Sequence, residues 1–283
     1  MGMSVVLLLS SCFVKEDRDE CPCWMTVEMP DRVRHDGSVI LRLRGNSDED
    51  AVDYAYKVSE SIKADVGILE YEVPRGAVGV SAVAFGNEIP GRAGYDGKSA
   101  GYDGDQISIP VGEQMDSLYG FFKMYHTRCE SVKCDVELHK EFCTVSFTLV
   151  DEHYESPYDI EVRGNVSGVS SWDLAPMNGV FKYAPVAEEG VYRVRVPRQV
   201  DASLELVMLE MPGQAGHDGV RTEDDGERAV VNRLPLGEYI IRSGYDWAAK
   251  DLSDVSVVLD LEKQQVMVTV SGWDEIVVMD VVI

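Results

Sequence analysis

Apolar and polar residues alternate along most of this chain. Trp24-Met25-Thr26-Val27-Glu28-Met29 is a clear case, and Ser38-Val39-Ile40-Leu41-Arg42-Leu43-Arg44 follows the same rule less strictly. A period of two sends successive side chains to opposite faces of a strand, so half-buried sheets are the expectation. Short β-rich segments continue over residues 66–73, 79–85, 106–109, 118–125, 134–138, 143–150 and 158–163. More follow at 191–196, 204–211, 229–234, 238–243, 254–260, 265–270 and 276–282. Gly, Pro and Asp turns separate them, the pattern of a sandwich or barrel. Residues 255–259 and 266–270, joined by a turn at 262–264, predict a hairpin. One stretch departs from the period of two. Val52, Ala55, Tyr56 and Ser59 stand at helical spacing within 48–64, with Ser47 placed to cap and Asp48, Glu49 and Asp50 in the first turn. A helix inserted between strands is expected there, and a single turn at 247–252. Lys140-Glu141 interrupts the apolar pattern, and similar strand sets flank a boundary near residue 138. The expected fold class is all-β, in two β-rich halves, with a short helix inserted in the first.

The start of the chain reads as an address. Met1 to Ser11 contain the apolar run Val5-Val6-Leu7-Leu8-Leu9, followed by small residues and Cys12. This is the end of a secretory signal. It is far short of the ~20 apolar residues that span a bilayer. Leu9-Ser10-Ser11-Cys12 resembles a bacterial lipobox. On that likeness Cys12 receives diacylglycerol on sulfur, cleavage after Ser11 frees its amine, and a third acyl chain is added. Several buried chains at ~0.8 kcal/mol per CH₂ make a stable anchor. The competing reading, a core cysteine in a hydrophobic strand, fits poorly with the polar run Lys15-Glu16-Asp17-Arg18-Asp19-Glu20, which suits a tether. Lys15, Glu16 and Asp17 resemble the surface-export signal of Bacteroidota lipoproteins.

Charge narrows the partners. The 283 residues carry 26 Lys and Arg against 50 Asp and Glu, a net charge of −24. Nucleic acid needs a basic patch, and an anionic leaflet attracts basic segments, so both are disfavoured as electrostatic partners. Disorder is not implied, because 45% of residues are hydrophobic and fall in strand-like runs.

Motifs for chemistry are sparse. His35, His126, His139, His153 and His217 form no zinc pair of the HExxH kind, and surface turns are their expected places. Gly164-Asn165-Val166-Ser167-Gly168 has the wrong spacing for a nucleophile elbow. No P-loop or dinucleotide fingerprint occurs. Gly94-Tyr95-Asp96-Gly97 and Gly101-Tyr102-Asp103-Gly104 repeat as loop sequences and lack the ligand spacing of an EF-hand. No catalytic residue, cofactor or metal is expected. With Cys12 acylated, Cys21, Cys23, Cys129, Cys134 and Cys143 remain, so at least one is unpaired. Cys129 and Cys134 could close a hairpin. A zinc site from Cys21, Cys23, Cys129 and Cys134 is conceivable, though its spacing matches no standard finger.

Several of these features occur together in one family. They are the lipobox Cys12, the acidic tether ending Glu20-Cys21-Pro22-Cys23, the opening strand from Trp24, and the two β-rich halves. The end adds Leu252-Ser253-Asp254-Val255-Ser256-Val257-Val258-Leu259-Asp260 and Gln265-Val266-Met267-Val268-Thr269-Val270-Ser271-Gly272-Trp273. In this order they resemble the fimbrial anchor lipoproteins of Bacteroidota, the minor-fimbrium anchor family among fimbrillin-related proteins. The resemblance runs from about residue 12 to the end. It implies a signal peptide over 1–11, a lipidated tether over 12–23, and two tandem transthyretin-like β-sandwich domains over 24–138 and 139–283. It also implies a non-enzymatic, surface-exposed outer-membrane lipoprotein that anchors a fimbrium and limits its length. Its partners would be the membrane, through the lipid, and fimbrial subunits, through strand complementation. The apolar segment 276–283 would then be an internal strand, because a base subunit has no onward partner, rather than a donor strand. The alternative is a surface glycan-binding lipoprotein of a nutrient-uptake system, with Trp172 and Trp247 as candidate platforms. A lipoprotein hydrolase is the third reading and lacks motifs.

Overall fold

A computed structural model of the chain describes residues 21–29, 38–46, 56–63, 67–85, 102–103, 106–150, 158–210, 230–272 and 276–280. The first half supplies β1 (Cys23–Glu28), β2 (Ser38–Asn46), β3 (Tyr56–Lys63), β4 (Ile68–Val73), β5 (Ala77–Phe85), β6 (Tyr102–Asp103), β7 (Gln106–Ser108), β8 (Leu118–His126), β9 (Ser131–Asp135) and β10 (His139–Lys140). The second supplies β11 (Phe142–Val150), β12 (Tyr158–Ser170), β13 (Pro176–Tyr183), β14 (Tyr192–Pro197), β15 (Glu205–Glu210) and β16 (Val230–Leu234). Helix α1 (Leu236–Arg242) follows, then β17 (Val255–Asp260), β18 (Gln265–Val270) and β19 (Ile276–Asp280). The fold is an all-β sandwich.

Among the described residues the strands form four sheets, and one connectivity occurs twice. Sheet β4-β1-β9 packs on sheet β10-β8-β5-β2-β3 around Met25, Val27, Leu41, Leu43, Val80 and Phe121. Sheet β14-β11-β17-β18-β19 packs on β16-β15-β12-β7-β6 around Phe147, Phe181, Leu206, Ile240, Val257 and Val268. In each case the first strand is central, β1 or β11. It has an antiparallel neighbour, β4 or β14, and a parallel one, β9 or β17. The opposing sheets match as well, β3-β2-β5-β8 against β13-β12-β15-β16. β13 takes the side of β12 away from β15, because Val162 and Arg163 pair with both. No sequence repeat accompanies this repetition; the shared property is the order of apolar strands.

Three expectations change. Residues 56–63, expected within a helix, form β3, antiparallel to β2 from Ser38↔Lys63 to Gly45↔Tyr56. Pairing with β2 supplies the main-chain partners, and such context overrides weak helical spacing. Residues 48–55 lie outside the described residues. The segment expected as a strand over 238–243 lies in α1 instead, with Leu236, Tyr239 and Ile240 buried at helical spacing. Glu238 and Arg242 pair along its exposed side at 3.1 Å. β13 was not anticipated. It begins with a proline, and a Cβ on Gly179 at its centre would overlap Ser167 of β12, so close backbone approach replaces side-chain packing there.

The halves interlock. Ile107, Ile109, Met115 and Leu118 precede residue 138 but join the second core. The turn after β12 lies on the outer face of the β10-β8-β5-β2-β3 sheet. Arg42 Nη1 and Ser81 Oγ both donate to the Ser171 carbonyl, at 3.1 and 2.9 Å. This explains why β5 is buried on both faces.

Candidate functional site

A cleft of about 610 Å³ opens where the flank of the first sandwich meets the second half. One wall is the ends of two sheets, with Lys123 and Tyr125 on β8 and Lys133 and Asp135 on β9. Arg198 and the 248–250 turn form part of the opposite wall. Asp173 and Leu174 line one side, and next to them Trp172 packs edge-on to Phe122 at 5.3 Å with the Arg44 guanidinium 4.8 Å over its ring. Glycine makes this approach possible, because a Cβ at Gly79 would overlap the Trp172 ring. Leu174 sits over Gly120 in the same way and holds a left-handed backbone, φ 61°. That conformation costs a non-glycine residue ~1–2 kcal/mol, offset here by the docking it permits.

Charges fix the second wall. Glu141 is buried, and burial pushes its carboxyl above the usual carboxylate range against the opposing pull of Arg198. Arg198 Nε donates to Glu141 at 2.9 Å, while its Nη1 donates to the carbonyls of Trp247 and Ala249 at 2.5 and 2.8 Å. One guanidinium thus fastens the 247–249 turn to the start of β11. Such a buried pair is costly to break by removing one partner, although its net contribution to stability is small. His139 Nδ1 lies 3.0 Å from Asp251, which also accepts from the Lys140 N–H at 2.9 Å. Burial raises the Asp251 carboxyl, but these contacts outweigh it and hold the group below its ordinary value. Lys250 donates to Glu137 at 2.7 Å and holds that carboxyl down. Within the first sandwich, burial raises both the Tyr125 phenol and the Cys134 thiol, which share a hydrogen bond. The cleft therefore presents paired charges of both signs, suited to binding a polar main chain or a polyhydroxylated surface.

The predicted residues fall variously. Cys12, Lys15, Glu16 and Asp17 lie outside the described residues, as do His35, His153, His217 and the 94–97 loop. His139 is part of the cleft rather than a surface turn, and His126 ends β8 on its exposed side. Trp172 is wedged at the junction, and Trp247 is buried against Tyr245 at 4.7 Å, so neither stands as an open platform. Among the described residues no group of three metal-ligating side chains gathers, and the four-cysteine zinc site does not form. Cys134 lies inside β9 with Cys129 just before it. Both are free thiols, and no disulfide joins them. Cys129 donates instead to the Ser131 carbonyl at 3.2 Å. Burial takes Cys143 up to about 12. The cleft itself is not legible in the sequence, because its residues come from stretches far apart in the chain with no motif in common.

Fold and cleft together define an all-β sandwich protein with a charged cleft beside the junction of its two halves. No protein-family model matches the chain, and no curated protein sequence does. Solved structures do. A candidate polysaccharide-binding protein from Bacteroides thetaiotaomicron superposes with a TM-score of 0.57 at 15% identity, over 92% of this chain and 98% of that one. A candidate adhesin from Bacteroides ovatus gives 0.53 at 13%, over 92% and 96%. The fimbrial anchor protein Mfa2 from Porphyromonas gingivalis gives 0.52 at 12%, over 89% and 98%. The chain shares its fold with fimbrial anchor proteins and adhesins of Bacteroidota.

Proposed function

We propose that this chain is an outer-membrane lipoprotein, attached through Cys12, that anchors a fimbrium to the cell surface and limits fibre length. It does so by accepting the basal fimbrial subunit through strand complementation. The observation that carries this reading is the shared fold with the fimbrial anchor protein over nearly the full length of both chains. The tether supports it: Cys12 follows an apolar run, and Lys15, Glu16 and Asp17 follow the cysteine as an export signal would. The repeated connectivity supports two tandem transthyretin-like sandwiches, 24–138 and 139–283 in the reading proposed here, with residues 102–118 crossing to pack in the second. The paired charges along the cleft suit a binding role. The glycan-binding alternative draws on the polysaccharide-binding neighbour, but Trp172 and Trp247 are packed rather than presented.

A strain lacking the chain, complemented with wild type or with Cys12→Ala, tests the reading. Wild type should restore attached fibres of normal length. Cys12→Ala should vanish from the outer-membrane fraction and leave fibres detached or overlong. Retention of Cys12→Ala in that fraction sinks the lipid anchor, and normal attached fibres in the deletion strain sink the anchoring role.

A further inference from the structure

The repeated connectivity exposes one difference between the sandwiches. In the second, the parallel neighbour of the central strand, β17, is itself covered by β18 and β19. In the first, the corresponding strand is β9, and among the described residues nothing pairs with its outer side. The hydrogen bonds show which groups are left over. Trp24 N–H donates to the Glu130 carbonyl and Val136 N–H donates to the Glu28 carbonyl, both at 2.9 Å. In a parallel ladder this parity commits Val132 and Cys134 to β1 and turns the N–H groups of Ser131, Lys133 and Asp135 and the C=O groups of Lys133 and Asp135 outward, the Ser131 carbonyl taking the Cys129 thiol. In β17 the equivalent groups are taken up: Ser271 N–H donates to the Asp254 carbonyl at 2.7 Å, in line with the β17–β18 ladder.

We propose that the outer edge of β9 is the acceptor for one extended strand of the basal fimbrial subunit, added in the place that β18 takes in the second sandwich. This rests on the strand-complementation reading above and names its site. The occupant follows from the same comparison. β18 runs antiparallel to β17 and buries Val266, Val268 and Val270 at alternate positions, with Gln265, Met267 and Thr269 less covered. A strand on β9 would likewise be antiparallel, with small β-branched residues at every second position. Their side chains would lie over the flank where Tyr125 is only half buried. Polar residues between them would meet Lys133 and Asp135, which with Glu28 form an exposed charge cluster at 2.6 and 2.8 Å. The neighbouring cleft gives the room, since Lys133 and Asp135 line its edge. An open strand edge is a liability that proteins cover, twist or charge, and Lys133 serves that purpose until a partner arrives.

The test uses the full chain in fimbriated cells. Lys133→Pro removes one outward N–H and leaves every main-chain bond to β1 in place, because the Lys133 N–H donates nothing to that strand; the exposed ion pair to Glu28 goes with the side chain and contributes little. A melting curve like that of wild type shows that the variant folds. Fibre subunit recovered with the chain should fall by about tenfold, the loss of one ladder bond. In parallel, a photo-reactive benzophenone amino acid at position 133 should link to an extended segment of a fibre subunit. The same probe at Lys263, in the β17–β18 turn, should not. Undiminished recovery with Lys133→Pro and no link from 133 overturns the edge while leaving the anchor reading intact. A link from 133 to this same chain or to a second copy also overturns it. If wild type recovers no fibre subunit at all, the anchor reading fails and the acceptor edge falls with it.

Discussion

Asp251 accepts from the Lys140 N–H and faces His139 Nδ1, and these contacts hold its carboxyl below the ordinary value of 3.8. A carboxylate with a depressed folded value stabilises the native state above its unfolded value. That contribution is lost as pH falls through the lower, folded value. Asp251→Asn should therefore melt slightly below wild type near pH 7, the effect being small because the side chain is largely exposed. The gap should close as pH drops below 3.8. Thermal melts across that window check it, and a gap that stays constant would show that charge plays no part. Glu141 has the opposite sign. Burial raises its carboxyl, so acid relieves a cost instead of removing a benefit. Two carboxylates far apart in the chain, though both beside β10, thus respond to acid in opposite directions. Neither role was legible in the sequence, where fifty acidic side chains look alike. What separates them is burial and the identity of a partner more than fifty residues away along the chain.

At the scale of elements, α1 turns on one glycine. The Gly237 N–H donates to the Leu204 carbonyl at 2.7 Å, and a Cβ there would stand 2.6 Å from the Ala202 carbonyl oxygen. In an isolated helix, alanine at this position would be favoured by ~1 kcal/mol. Here Gly237→Ala should destabilise by ~1–3 kcal/mol, because the obstruction is backbone and cannot swing aside. A chemical denaturation curve decides the sign, and a stabilised variant would show that the loop at Ala202 yields freely. The same glycine explains the misread strand. Tyr239, Ile240 and Ile241 are β-formers by composition, and the helix is fixed by a loop some thirty-five residues earlier in the chain. The β17–β18 hairpin was legible because its alternation and turn are local. It pairs Val255↔Val270 through Asp260↔Gln265. The place of β3 was not legible, because it depends on β2 and on no property of 56–63 alone. Elements defined by local period were readable, and those defined by a neighbour were not.

The whole molecule is two apolar cores joined by one wedge and a set of ion pairs. Alternation along the chain made the all-β class readable, yet the boundary near residue 138 does not separate the cores, since Ile107 to Leu118 belong to the second. The joint was also hidden, because Trp172 in the sequence has the same standing as any surface-loop aromatic. In the structure its ring fills the space above Gly79 and lies against Phe122 and under Arg44, all three from the first half. The adjoining Ser171 carbonyl accepts from Arg42 and Ser81. This wedge and the hydrogen bonds beside it tie the second half to the outer face of the first sandwich. Trp172→Ala should remove ~3 kcal/mol of packing, most of it from the junction and little from either core. Wild type should unfold in one calorimetric transition. The variant should show two, because each core keeps its own sheets once the coupling is lost. A single transition at lower temperature would mean that the 106–118 crossing and the Arg198 and Asp251 contacts couple the cores without the wedge. Two transitions in wild type would mean that the sandwiches are independent from the start.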